Sequence, residues 1–275
     1  MATEKSISDA AKPEKCQPLF RWAGGKRRLV SQILPFLPLK YNHYYEPFCG
    51  GAALFFELRP TDATLGDKNE ELINCYQQVK EHPEEVVTAL HKLKNTKTDY
   101  YEIRGYIPKS DVGRAARLIY LMALSFNGIY RVNSDGKFNV PYGSKNKRKF
   151  DFERIRNVSK ALANVELVHG DFETTVERAR KGDLVYFDPP YTVAHGNNGF
   201  IQYNEKIFSW ADQVKLAKLA KQLAERGCNV IISNAAHTSI GEIYSAFKTQ
   251  IVVRHSGIGA LPKARKYIAE FVFTK

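Results

Sequence analysis

The sequence predicts an α/β protein built on an open, mostly parallel sheet, interrupted by a mostly helical segment that carries a β-hairpin. Short runs rich in Val, Ile, Leu, Tyr and Phe alternate with stretches of helical periodicity, the pattern of a parallel sheet flanked by helices. Several of these runs end on a carboxylate or a glycine just before a helix begins. Between residues 77 and 157 the alternation stops and helical spacing takes over.

Taken in order, residues 1–16 are polar, lack apolar periodicity and are expected to form a flexible tail. His43-Tyr44-Tyr45-Glu46-Pro47-Phe48 leads as a strand into Cys49-Gly50-Gly51 and a helix over 52–58. Further strands are expected at 63–67, 165–169, 184–187, 229–233 and 267–273, with a long amphipathic helix at 211–226. The expected body of the protein is therefore 17–76 joined to 158–275, with 77–157 as an inserted domain. Inside the insertion, 114–126 has apolar residues at helical spacing. A hairpin follows: Tyr130 to Asn133, a Ser134-Asp135-Gly136-Lys137 turn, then Phe138 to Val140, with Asp-Gly as its signal.

The chain has 275 residues, with 41 Lys plus Arg against 29 Asp plus Glu, a formal charge of +12. Such an excess favours a polyanionic partner, and nucleic acid is the commonest. The four cysteines, Cys16, Cys49, Cys75 and Cys228, form no C-x-x-C pair, which argues against a zinc site and a disulfide framework. A reducing, cytoplasmic setting is expected, since no apolar run reaches the roughly 18 residues of a bilayer span and no secretory leader opens the chain.

Asp188-Pro189-Pro190-Tyr191 directly follows the apolar run Leu184–Phe187 and carries the sharpest chemical signal. In open parallel sheets, ligands bind beyond the carboxyl ends of the strands. The exocyclic amine of adenine is a poor nucleophile because its lone pair is delocalised into the ring. An Asp carboxylate and a backbone carbonyl both accept hydrogen bonds from that amine and return electron density to nitrogen. Two prolines give a rigid carbonyl edge without N–H groups, and Tyr191 suits stacking on a base turned out of a duplex. The bland alternative is a polar turn, which Asp-Pro pairs also favour.

Three other constellations sit at predicted strand ends or loops. Glu46-Pro47-Phe48-Cys49-Gly50-Gly51 lets the backbone approach a ligand closely, and Asp67 ends the next strand, where a carboxylate suits ribose hydroxyls. Trp22-Ala23-Gly24-Gly25-Lys26 offers a ring to pack on a cofactor and a cation to meet a carboxylate or phosphate; alone it is as well explained by a loop with a buried Trp. His169-Gly170-Asp171-Phe172 places a carboxylate and a ring at another strand end, although Asp171 alone is equally a helix cap. His195, in a Gly/Asn-rich stretch, is not assigned a role as general base.

In this order the motifs resemble the DNA adenine N6-methyltransferases of the D12 type, the Dam-like enzymes of α architecture, from about residue 18 to the end. The resemblance implies a Rossmann-like, S-adenosylmethionine-dependent methyltransferase sheet with an inserted target-recognition domain. It implies double-stranded DNA as partner, GATC as target, a monomer and no metal. Trp22, Lys26, Phe48 and Gly50 would line the methionine end of the cofactor, Asp67 its ribose, and Asp171 and Phe172 its adenine. Asp188, Pro189 and Tyr191 would hold the target adenine, with Asp188 also beside the cofactor. Asn127-Gly128-Ile129-Tyr130-Arg131 matches the family's N-G-x-x-R element, and Phe138-Asn139-Val140-Pro141 its hairpin return. Arg131 would read guanine, with Asn127, Ile129 and Pro141 bordering the recognition site. Arg21, Lys145, Lys147 and Arg148 would meet the DNA backbone.

Some positions depart from the family pattern. Gly143-Ser144-Lys145 stands where GATC enzymes often carry Gly-Arg-Tyr, Arg21 where many relatives have Lys, and the basic segment 254–266 where a Ser/Asn/Gly-rich loop is usual. These bear on the target sequence and phosphate contacts, not on the chemistry. The rival readings are an RNA adenine-N6 enzyme, a cytosine-N4 enzyme, and a non-catalytic DNA-binding protein of the same fold.

Overall fold

The computed structural model describes residues 16–22, 24–143, 150–192, 208–255 and 267–275. A single mixed sheet of seven strands runs through it in the order β3-β2-β1-β4-β5-β7-β6. The strands are β1 (Tyr44–Glu46), β2 (Ala63–Asp67), β3 (Val165–His169), β4 (Leu184–Phe187), β5 (Asn229–Ala235), β6 (Lys248–His255) and β7 (Tyr267–Thr274). The first five pair in parallel; β7 lies antiparallel between β5 and β6.

Strand order fixes where a ligand belongs. From β1 the chain moves outward through β2 to β3, then returns to β4 beside β1 and moves the other way to β5. The direction reverses between β1 and β4, so the crevice beyond their carboxyl ends is the binding position of this topology. Glu46 closes β1 there, and Asp188 follows β4.

The central strands are apolar because both faces are covered: all residues of β4 are buried, as are the first four of β2. Short helices α1 (Val30–Ile33) and α2 (Ala53–Leu58) precede β2. Between β2 and β3 come α3 (Glu70–Glu81), α4 (Pro83–His91), α5 (Lys97–Gly105), α6 (Asp111–Leu124) and α7 (Phe152–Leu162). Ser110 caps α6 by accepting from Gly113 N, and Asn69 caps α3 from Leu72 N. The apolar faces of α3, α4, α6 and α7 share one core through Leu72, Tyr76, Leu90, Leu118 and Val158. Positions 77 and 157 fall inside α3 and α7.

On the far side, α8 (Phe172–Val176) packs on β2 so closely that a Cβ at Gly66 would lie 2.0 Å from Thr175 Oγ1. Helix α9 (Trp210–Glu225) opens with a capping box between Ser209 and Asp212, as its sequence signature requires. The short α10 (Thr238–Ile243) leads to β6.

One feature differs from the sequence expectation. Strand β6 occupies 248–255, where no strand was expected although Ile251-Val252-Val253 is β-branched. It is an edge strand with Ile251 and Val253 exposed, so it lacks a buried apolar stripe, and Gln32 bonds both backbone groups of Val253. Around Gly136 the chain reverses: Val132 and Phe138 form one antiparallel bridge, and the N–H groups of Asn133 and Asn139 donate to the carbonyls of Lys137 and Arg131. The Asn133 side chain accepts from the N–H groups of Asp135 and Lys137, turning it inward to the loop.

Candidate functional site

The turn after β1 is built around Gly50. Its φ of +45° favours glycine, and a Cβ would stand 2.6 Å from Cδ1 of Trp22. The Gly50 N–H donates to Asp67 Oδ2 at 3.0 Å, and its carbonyl accepts from Tyr76 Oη at 2.9 Å. Asp67 Oδ1 accepts from Asn69 N at 2.9 Å. Burial raises the Asp67 pKa despite these two amide bonds, which oppose the shift. Trp22 lies against the turn and stacks on Tyr130, centroids 5.0 Å apart and planes at 18°. The structure thus brings together Trp22, Gly50 and Asp67 from three separate sequence motifs.

At the carboxyl end of β4 the organising group is Lys26, only 4% exposed, at the start of a 3-10 turn over Lys26–Arg28. Its ammonium lies 2.6 Å from Asp188 Oδ1 and 3.6 Å from Glu270 Oε2, and donates to Tyr191 Oη at 2.9 Å. It also sits 4.7 Å from the centre of the Tyr191 ring, within cation–π range. Burial lowers the Lys26 pKa, but Asp188, Glu270 and Tyr186 outweigh it and the pKa rises.

A second carboxyl lies beside this pair. Glu46 is buried and accepts from Tyr44 Oη at 2.9 Å. Burial first, and then the charge of Asp188, push its pKa up to about 8. Near neutral pH Glu46 is therefore mostly protonated, and Lys26 lies between the carboxyl groups of Asp188 and Glu270.

Behind the crevice, Phe48 stacks on Phe172 at 5.5 Å and meets Phe208 edge-on at 5.4 Å. Phe172 is 1% exposed whereas Phe48 is half-buried, so Phe48 is the ring nearer a ligand. Asp171 caps α8 through Glu173 N and pairs with Lys68 at 3.2 Å; its bland role as a cap is thus present.

Residues 126–142 join the Gly50 turn through Tyr130 and bury Phe138 and Val140, while several of their polar groups are exposed. Asn127 has φ +59°, and Phe126, Asn127, Arg131 and Pro141 face solvent while Ile129 is half-buried. Arg131 Nε donates to Asn139 Oδ1 at 2.8 Å. The exposed Arg21 precedes Trp22. Lys145, Lys147 and Arg148, His195, residues 256–266 and nearly all of the tail lie outside the described residues.

Sequence reasoning missed Glu270 and the stacking partner Tyr130 and gave Glu46 no role. Glu46 and Tyr130 sat inside quoted motifs, but Glu270 lies in an apolar strand with no local signal.

A carboxylate cluster and a proline-containing turn thus stand at the switch point of the sheet, where proteins of this topology bind their ligands. The model of the D12 class N6 adenine-specific DNA methyltransferases matches residues 22–256, and the chain belongs to that family. It is 43% identical to the type II methyltransferase M1.LlaDCHI of Lactococcus lactis subsp. cremoris, over 94% of this chain and 95% of that one. It is 35% identical to the type II methyltransferase M.MjaIII of Methanocaldococcus jannaschii, over 91% and 95%. Against the DNA adenine methylase of Escherichia coli K12 the identity is 31%, over 94% and 95%. Among the described residues no helix is long and apolar enough to cross a membrane.

Proposed function

We propose that this methyltransferase methylates N6 of an adenine turned out of duplex DNA within GATC, using S-adenosylmethionine. The observation that carries the reading is the Lys26–Asp188–Tyr191 cluster beyond β4, which faces the Gly50 turn beyond β1. Asp188 and the Pro189 carbonyl accept from the adenine amine, and Tyr191 stacks on the ring. Lys26 ties Asp188 and Tyr191 together, so both acceptor and platform are fixed before substrate arrives. Positioning and electrostatics suffice, because the donor carries an activated methyl when bound.

The residues present suit that donor. Two carboxyl groups stand around one ammonium, an acidic setting suited to a sulfonium cation. The Gly50 turn offers close backbone approach beside Trp22, Asp67 an acceptor for ribose hydroxyls, and Phe48 an apolar wall with Phe172 behind it. Asp171, paired with Lys68, is the carboxylate assigned to the cofactor adenine.

For DNA, residues 17–76 with 158–275 form the catalytic unit, and 77–157 reads the target. Arg131 is exposed and oriented by Asn139, a geometry suited to bidentate contact with guanine. Asn127, Ile129 and Pro141 flank it; Arg21, Lys145, Lys147 and Arg148 neutralise phosphates. The GATC target rests on the order of motifs shared with Dam-like enzymes. Labelled methyl transfer to two duplexes tests the proposal, one with GATC and one with that adenine replaced. Label on the first alone, recovered as N6-methyladenine, is expected; equal label on both overturns the target, and none on either overturns the DNA reading.

A further inference from the structure

Glu270 is 0% exposed, in the middle of β7, where its register neighbours are Ala235 on β5 and Val252 on β6. A buried carboxylate in an apolar strand is costly unless it is paired, and an apolar residue of similar size is usually no less stable. Its charged neighbour is Lys26, 3.6 Å away. Asp188, by contrast, is 17% exposed and open to a ligand from the crevice. The same ammonium therefore has one carboxylate in front of it and one behind.

This arrangement addresses a conflict in the chemistry. Asp188 is useful only as a strong acceptor for the adenine amine, yet an ammonium at 2.6 Å drains its basicity. A second anion behind Lys26 draws the ammonium back and shares its charge. We propose that Glu270 is a positioning residue for methyl transfer, dividing the Lys26 ammonium with Asp188 so that Asp188 stays an effective acceptor and Lys26 stays charged. The proposal rests on the role given to Asp188 above.

The groups around the ammonium are Asp188 and Tyr191 after β4, Tyr186 in β4 and Glu270 in β7, with Glu46 of β1 acting on Asp188. Glu270 is one of the groups that raise the Lys26 pKa against burial. Removing its charge lowers that pKa, so a rate that needs the ammonium is lost at lower pH than in the parent.

The test is Glu270→Gln, which keeps size and removes charge. In this variant kcat should fall about 10-fold or more, as for losing one charge-assisted interaction felt in the transition state. The alkaline limb of its pH–rate profile should move down by about one unit or more. KM for duplex should change little, and target flipping, read by 2-aminopurine fluorescence, should persist. A parent-like profile and kcat in a folded Glu270→Gln protein overturns the proposal, while an inactive parent overturns the function itself, so the two failures are distinct. If Glu270→Gln does not fold, Lys26→Met/Glu270→Gln decides. Recovered folding in the double variant supports the pairing, and continued unfolding shows that Glu270 serves another partner.

Discussion

The Lys26 cluster and the 126–142 segment are built in opposite ways. Around Lys26, charged groups are buried and hold one another at 2.6 to 3.6 Å, brought from sequence positions far apart. In 126–142 the candidate reading groups face solvent, and Arg131 bonds to its near neighbour Asn139. The first arrangement is preorganised, since its dipoles cost nothing to orient when substrate enters. The second keeps its donors available to a groove and gives up self-contacts cheaply. On the proposed reading, chemistry is fixed by the fold and target reading is carried on the surface.

The largest test of that contrast removes the buried cation. Lys26→Met leaves Asp188 and Glu270 facing each other uncompensated and should destabilise by about 3–5 kcal/mol. Thermal unfolding measures it, and a loss below about 1 kcal/mol, the size of an exposed pair, would break the comparison.

Arg131→Ala should leave the fold intact and cost about 1–3 kcal/mol of discrimination at one base pair. Competition between matched and mismatched duplexes measures it; a uniform loss across all sequences would recast Arg131 as a phosphate contact. Gly50→Ala forces Trp22 aside in a left-handed turn and should cost about 1–3 kcal/mol in stability. Cofactor affinity by titration calorimetry should fall with it, and unchanged affinity would separate Trp22 from the cofactor pocket.

Glu46→Gln sharpens the buried side. The folded pKa of about 8 lies above the ordinary value of 4.5, so folding favours the protonated form. That contribution is fully present below pH 4.5 and is lost as pH rises toward 8. The Gln variant should match the parent at low pH and be more stable than it above pH 8. Parallel stability curves across that range would show Glu46 is not proton-linked.

Six of the strands were legible because each is a short β-branched or aromatic run ending at a turn. Strand β6 was not, since an edge strand with outward Ile251 and Val253 carries no buried stripe. The motif residues Trp22, Lys26, Gly50, Asp67 and Asp188 were legible through residue type and position at strand ends. That Lys26 meets Asp188 depends on tertiary placement alone. Glu270 was invisible because a lone Glu in Tyr267-Ile268-Ala269-Glu270-Phe271 looks like an ordinary solvent-facing position. Its burial arises from tertiary packing, which brings Lys26 from the other end of the chain against it.

The central claim is that Asp188 makes the target amine reactive in a prebuilt site. The direct measurement is single-turnover methyl transfer to a GATC duplex by Asp188→Ala beside the parent protein. The account predicts a rate lower by about 10³ or more, with cofactor and duplex affinity retained. A variant that transfers methyl at the parent rate would contradict it.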